Sequence, residues 1–457
     1  MCGERRHSTA RTAGSRRSQN IISWSAFLTI STVCGLAQQD LSLEQAVTRA
    51  LERNRRIEIS RTEVDKAKNA IEVSRTYRLP QFKFLTMEGQ LLTPLTFNFP
   101  AGAFGSFPGI GPFPPTPAPV TTARRPFNIT QAGLAQPLSQ QFRIGLGIQA
   151  SRLNQKIAEE KLRLEEQNVI NDVKKTFYNI LQSQSALKAT DVALTLFKEL
   201  DRVATSALVE QVILKSDLLD AQAGMAKVES DRAGLQNTLD TLKEKMNNLL
   251  GQDLDTKFTV TTELEVKPWE SDLASTRAKA LDQRPELKEA RLKVDLAEID
   301  RRAKRAEYIP DISFRFDYLS FRNLEVLPKN VSAASVILEW DVFDWGRKKN
   351  ELLAKSSTIK QAKSAVDEAA SQIQVEVGLN FRKLESARAQ LRAANLALEA
   401  DQEKVRVALN RYEQKTILLK DLLQLRAAVA EKTYKYQESL MAFWNARADL
   451  EKSIGER

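Results

Sequence analysis

The chain has 457 residues, with 68 Lys and Arg against 58 Asp and Glu, and it holds one His and two Cys, all within the first 34 positions. Beyond that point there is no disulfide framework, no Cys or His nucleophile system and no zinc site of the usual ligand types. No phosphate loop, dinucleotide fingerprint or serine elbow occurs either, so the sequence predicts a non-enzyme with no catalytic, cofactor-binding or metal residues.

The first 20 residues are basic, with Arg5, Arg6, Arg11, Arg16 and Arg17 against Glu4, and residues 21–37 form an apolar run closing on Cys34-Gly35-Leu36-Ala37. This is the pattern of a secretory signal peptide over 1–37, cut after Ala37. An uncleaved membrane anchor is the alternative, although the run is short for a span. Cys34 at the end of the run admits a lipid anchor, but Val33 precedes it where a small residue is wanted. Ser15-Arg16-Arg17-Ser18 resembles a twin-arginine signal, yet Gln19 and Asn20 follow where apolar residues belong, and the segment reads as an ordinary basic leader. Five arginines and one glutamate leave with it, so the net charge of +10 falls to about +6 on a chain dense in both signs. Such a chain reads as solvated helix surface, and no nucleic-acid partner is expected.

The remainder is a duplication. At an offset of 230, Ala50, Leu51, Arg61, Val64, Asp65, Arg75, Pro80 and Phe84 fall on Ala280, Leu281, Arg291, Val294, Asp295, Arg305, Pro310 and Phe314. At 204, Leu134, Arg143, Phe177, Asp217 and Gly251 fall on Leu338, Arg347, Phe381, Asp421 and Gly455. The change of offset marks a 26-residue insertion in the first copy. Repeat 1 spans 38–251, a linker 252–270, and repeat 2 271–457.

Repeat 1 opens with a predicted helix over 41–79, which Ser42 and Gln45 cap reciprocally and Pro80 ends. Strands follow at about 80–92 and 127–138. Between them, loop 93–126 carries Phe97, Phe99, Phe104, Phe107 and Phe113 among prolines and glycines. It is expected to lack regular structure and to stand as an exposed hairpin tip, with a binding role for the phenylalanines as the alternative. A long helical hairpin over 143–251 turns near 212–217, and Gly251 stops it.

Repeat 2 follows the same order: helix 271–309, strands about 311–321 and 332–343, helical hairpin 346–455. Here the strand pattern is clearest. Ile312, Phe314, Phe316 and Tyr318 alternate with Ser313, Arg315 and Asp317, and Val336, Leu338, Trp340 and Val342 with Ser335, Glu339 and Asp341. Strands of about ten residues with an aromatic-rich face suit a tilted crossing of a bilayer, and equally a half-buried sheet in a soluble domain.

Within the long helices apolar residues recur every three or four positions. Val169, Val173, Phe177, Ile180, Leu181 and Leu187 form one seam, and Val366, Ala370, Ile373, Val377, Phe381, Leu384 and Leu391 its counterpart. Helices of this length need coiled-coil packing. Four short strands in one chain leave open edges that hydrocarbon does not tolerate, so several chains must close both the sheet and the helical layer.

The order and duplication of Arg284-Pro285-Glu286-Leu287, residues 306–310, Phe343-Asp344-Trp345-Gly346-Arg347, and the paired Asp217 and Asp421 make the chain resemble the TolC-type outer-membrane efflux proteins over its mature length. That resemblance implies a mainly α fold with a small β part: a homotrimer whose strands form one transmembrane β-barrel and whose helices form a long coiled-coil barrel in the periplasm. It implies contacts with outer-membrane lipid, a periplasmic adaptor (membrane fusion) protein and an inner-membrane pump. The function would be a passive exit duct of a tripartite efflux or type I secretion system. The alternatives are a structural periplasmic coiled-coil protein and a periplasmic adaptor subunit.

Lipid would meet Phe314, Phe316, Tyr318, Leu338 and Trp340. The periplasmic gate or tip maps onto Asp217, Asp220, Tyr412, Asp421 and Gln424. Ile417 stands where the family has a linking arginine, Gln424 where repeat 1 has Asp220, and Gln211 and Lys415 where the tip turns often carry glycine. A helix cap in a tight turn is the competing role for Asp217 and Asp421.

Overall fold

The computed structural model describes residues 39–121, 124–211, 214–260, 272–324, 327–414, 416–417 and 419–456. The leader, with Cys34, and most of the linker lie outside the described residues.

The helix expected over 41–79 is two helices, α1 (Leu43–Arg53) and α2 (Arg55–Thr76), and its counterpart is α5 (Leu273–Gln283) with α6 (Pro285–Ala306). The break is extended backbone at Asn54 (ψ 128°) and at Arg284 (ψ 124°), positions 230 apart. Pro285 forces the second, since the residue before proline avoids helical ψ. The first is fixed by Asn54, whose side chain accepts from the Arg56 N–H and donates to the Leu249 carbonyl at 2.8 Å.

The sheet is a four-stranded antiparallel ribbon. Strands β2 (Gln81–Gln90) and β7 (Pro126–Pro137) come from repeat 1, and β9 (Asp311–Arg322) and β10 (Asn330–Glu339) from repeat 2, in the order β10-β9-β7-β2. β10 stops at Glu339, so Trp340 and Val342, expected in the strand, lie beyond its end. Residues 93–126 correct the sequence reading further: they hold the ribbons β3 (Thr96–Phe99) with β6 (Ala118–Thr121) and β4 (Ser106–Phe107) with β5 (Gly111–Pro112). Two-stranded ribbons are all edge, so Pro112 and Pro119 remove no interior hydrogen bond. Gly102, Gly105, Gly109 and Gly111 supply positive φ at the turns, and the Phe99, Phe104 and Phe113 rings pack at 5.1 and 6.2 Å.

The long helices are α3 (Gln141–Val209) and α7 (Arg347–Glu413), returning as α4 (Lys215–Leu249) and α8 (Leu419–Ile454). At 1.5 Å per residue α3 is about 100 Å long. α1 with α5 and α2 with α6 correspond at the 230 offset, and α4 with α8 at 204, to within a residue at each end.

The core sits at mid-length. Val169, Val173, Phe177 and Ile180 of α3 are fully buried against Ala46, Ile57, Met246, Leu250, Ala280, Leu287, Phe443 and Leu450. A parallel pair that the sequence reading missed, β1 (Gln39–Leu41) with β8 (Phe258–Val260), closes this girdle. β8 falls inside the stretch taken as linker. α8 is bound to α3 by a polar seam: Asn171 and Lys175 to Asp449 (3.1 and 3.0 Å), Lys174 to Glu451 (2.7 Å) and Asn445 to Asn179 (3.2 Å).

Candidate functional site

Two regions carry the sequence-predicted site residues, one at each end of the molecule. At the first, the register places Phe82 opposite Leu134, Leu134 opposite Phe316 and Phe316 opposite Ala334, with Phe314 opposite Val336 and Ile312 opposite Leu338 one and two steps nearer the helices. One face of the helical half of the sheet is therefore apolar, and it is exposed: Phe82 is 78%, Phe84 73%, Val336 67% and Leu338 61% accessible. Phe314, Phe316 and Tyr318 share that face. Trp340 is exposed too, past the strand's end.

The opposite face of the same half is polar. Arg315 pairs with Asp317 at 2.9 Å, Gln131 donates to Asp317, and Lys83 lies two strands away. Beyond Tyr318 the pattern changes faces, a feature the alternation of residues 312–318 did not reveal. Thr86, Thr130 and Ser320 follow on the apolar face, while Leu85, Met87, Ile129, Leu319 and Phe321 occupy the other.

The junction with the helices is built twice from the same parts. Arg143, near the start of α3, pairs with Asp311 at 2.9 Å, and its repeat partner Arg347 pairs with Asp341 at 3.1 Å. Asp344 accepts from the Lys348 and Gly346 backbone N–H groups, which hold its carboxyl below the ordinary aspartate range.

At the far end, Asp217 and Asp220 lie exposed in the first two turns of α4, and Asp421 and Gln424 at the equivalent positions of α8. The Asp217 carboxylate accepts from the Leu214 N–H at 3.0 Å while its own N–H donates to the Leu214 carbonyl, so it does serve as a local helix-start lock. Asp421 lines a cavity of about 380 Å³ with Glu403, Lys404, Val407, Arg411, Ile417 and Leu425. Tyr412, 39% accessible, sits in the last turn of α7 beside Arg411. The chain thus gathers Tyr412, Asp421 and Gln424 on one helical hairpin and Asp217 with Asp220 on the other. Glu403, Lys404 and Arg411 were missed from sequence because each reads as ordinary helix-surface charge.

Among the described residues no helix is long and apolar enough to cross a membrane, which says nothing of strands. Residues 276–456 match the family model of the outer membrane efflux proteins, well under half of the chain. No curated protein matches the sequence. Solved structures match over nearly the whole length. The CmeC outer membrane channel of Campylobacter jejuni superposes with a TM-score of 0.73 at 15% identity, covering 90% of this chain and 85% of that one. The outer membrane protein VceC of Vibrio cholerae gives 0.69 at 13%, covering 91% and 96%. The open-state MtrE channel of Neisseria gonorrhoeae gives 0.68 at 16%, covering 91% and 89%. At these identities the likeness is one of fold.

Proposed function

We propose that this chain, which carries an outer membrane efflux protein domain at residues 276–456, is one subunit of a trimeric exit duct through the outer membrane and periplasm. It serves passively, receiving substrate from an inner-membrane pump through a periplasmic adaptor. The observation that carries the reading is the sheet: four strands with an exposed apolar face and two edges, β2 and β10, unpaired among the described residues, mounted on helices about 100 Å long. In hydrocarbon each unpaired backbone group costs several kcal/mol, so the edges must pair with copies of themselves. β10 of one subunit beside β2 of the next continues the sheet into a closed barrel. The apolar face of its helical half, with Phe314, Phe316, Tyr318 and Leu338, then meets lipid, and the Arg315–Asp317 face lines the lumen. A structural periplasmic rod would have no use for that exposed face, and an adaptor would carry a β-rich domain between its helices, where only five residues separate α3 from α4.

The test is fractionation followed by reconstitution. The mature chain should be recovered from outer membranes as a heat-modifiable trimer in detergent and form conducting pores in planar bilayers. A monomer soluble in the periplasm would overturn the reading. Crosslinks from the α3–α4 and α7–α8 tips to an adaptor in intact cells test the rest of the assembly, and the choice between tripartite efflux and type I secretion follows from which pump is captured with it.

A further inference from the structure

We infer that a groove at the junction of the sheet and the helices binds the head group of an acidic phospholipid, an inference that rests on the membrane location proposed above. The groove, about 490 Å³, is lined by Arg302, Arg305, Tyr308 and Ile309 at the end of α6, Phe142 at the start of α3 and Leu352 near the start of α7.

Three observations converge on it. The first is charge. Lys304 on the same turn is engaged by Glu307 (2.7 Å) and Glu351 (2.5 Å), whereas Arg302 and Arg305 have no hydrogen-bond or ion-pair partner among the described residues. Two guanidinium groups three residues apart on a helix lie on one face, and unpaired they offer forked donors to a phosphate diester.

The second is level. Gln81 starts β2, Pro137 ends β7, Asp311 starts β9 and Glu339 ends β10, and antiparallel pairing puts all four at one end of the sheet. The groove, reached from Pro310 on one side and residues 138–141 on the other, lies at that end. It directly adjoins the apolar half of the sheet, where acyl chains would stop.

The third is the company it keeps. Phe142 (59% accessible), Tyr308 (47%) and Ile309 (50%) are exposed on the groove, and Phe343 (71%) and Trp345 (85%) stand out from the adjoining β10–α7 connection. Of these, Tyr308 and Trp345 carry the amphipathic rings that settle at the head-group level of a bilayer. An acidic lipid satisfies the whole set: phosphate between the two arginines, glycerol against the Tyr308 ring, acyl chains along Phe142 and Ile309 toward the strands.

Native mass spectrometry of the detergent-solubilised trimer, titrated with phosphatidylglycerol or phosphatidylethanolamine, tests this. Wild type should retain phosphatidylglycerol preferentially. At about fivefold in affinity per arginine, the Arg302→Gln/Arg305→Gln pair should bind it about twenty-five-fold more weakly. Arg301→Gln, a charge change on the same turn outside the groove, should behave as wild type. Equal retention of the two lipids by wild type, or undiminished phosphatidylglycerol binding by the double variant, would overturn the inference while an intact trimer left the duct reading standing. Absence of a trimer from every variant and from wild type would instead remove the membrane premise.

Discussion

Arg284 and Gly251 show how single residues hold this repeat together. Asn54 and Arg284 hold equivalent positions, and each side chain reaches a carbonyl at the end of a returning helix, Leu249 at 2.8 Å and Lys452 at 3.4 Å. Arg284, only 6% accessible, adds Glu286 at 2.7 Å and Glu376 at 2.8 Å. Replacing it by Ala strands those carboxylates and should cost about 2–3 kcal/mol, seen as a lowered thermal midpoint in detergent. Gly251 and Gly455 end the two returning helices with φ of 66° and 89°. A Cβ on Gly251 would lie 2.2 Å from the Arg53 carbonyl oxygen, against 3.1 Å to the Gln283 carbonyl carbon for Gly455. Gly251→Ala should therefore destabilise by about 2 kcal/mol or more and Gly455→Ala by about half as much. Asp344 gives a pH effect. Because the Lys348 and Gly346 N–H groups lower its pKa in the folded state, its stabilisation is present above the ordinary aspartate value and is lost as pH falls through the lowered one. Between pH 7 and pH 3 the thermal midpoint of wild type should drop further than that of Asp344→Asn, and equal drops would show the contact to be idle.

At the scale of elements, the sheet and the ribbon beyond it answer to different constraints. Phe316 lies on the exposed apolar face between Leu134 and Ala334. Phe316→Arg should cost about 2–4 kcal/mol of membrane insertion if that face meets lipid, and reduce trimer recovered from outer membranes. Asp317→Asn on the opposite face should leave recovery unchanged. Deleting residues 96–121 removes both small ribbons but no strand of the main sheet, and β9 and β10 already manage without a counterpart. Trimer yield should survive the deletion; its loss would show the ribbons to be part of subunit packing.

At the scale of the whole molecule, the buried core lies at mid-length, and the proposed trimer would complete both ends. A threefold assembly would bring Asp217 and Asp421 of every subunit toward one axis, where converging carboxylates favour cations. Asp217→Asn with Asp421→Asn should lower cation preference in single-channel recordings. Tyr412→Phe should raise open probability if its hydroxyl ties neighbouring helices. Selectivity and open probability unmoved in all these variants would reduce Asp217 to the helix-start contact it makes with Leu214.

The duplication, the order of elements, the long helices and the apolar strand face were all legible in residue spacing, because periods of 3.6 and 2 and a fixed repeat offset are local properties of a sequence. Resemblance of motifs such as Phe343-Asp344-Trp345-Gly346-Arg347 was enough to indicate the family whose domain the second repeat carries. What only the tertiary structure decided depends on contacts between distant segments. Pairing of β1 with β8, 219 positions apart, rests on three-residue strands too short for a periodic signal. The break at Asn54 needs the Leu249 carbonyl, and the ribbons within 93–126 need glycine turns and stacked phenylalanines to offset their prolines. The change of apolar face beyond Tyr318, the α3–α8 polar seam and the lack of a partner for Arg302 and Arg305 among the described residues likewise emerge only when neighbouring strands and helices are in place, since a charged or apolar side chain acquires its role from what stands opposite it.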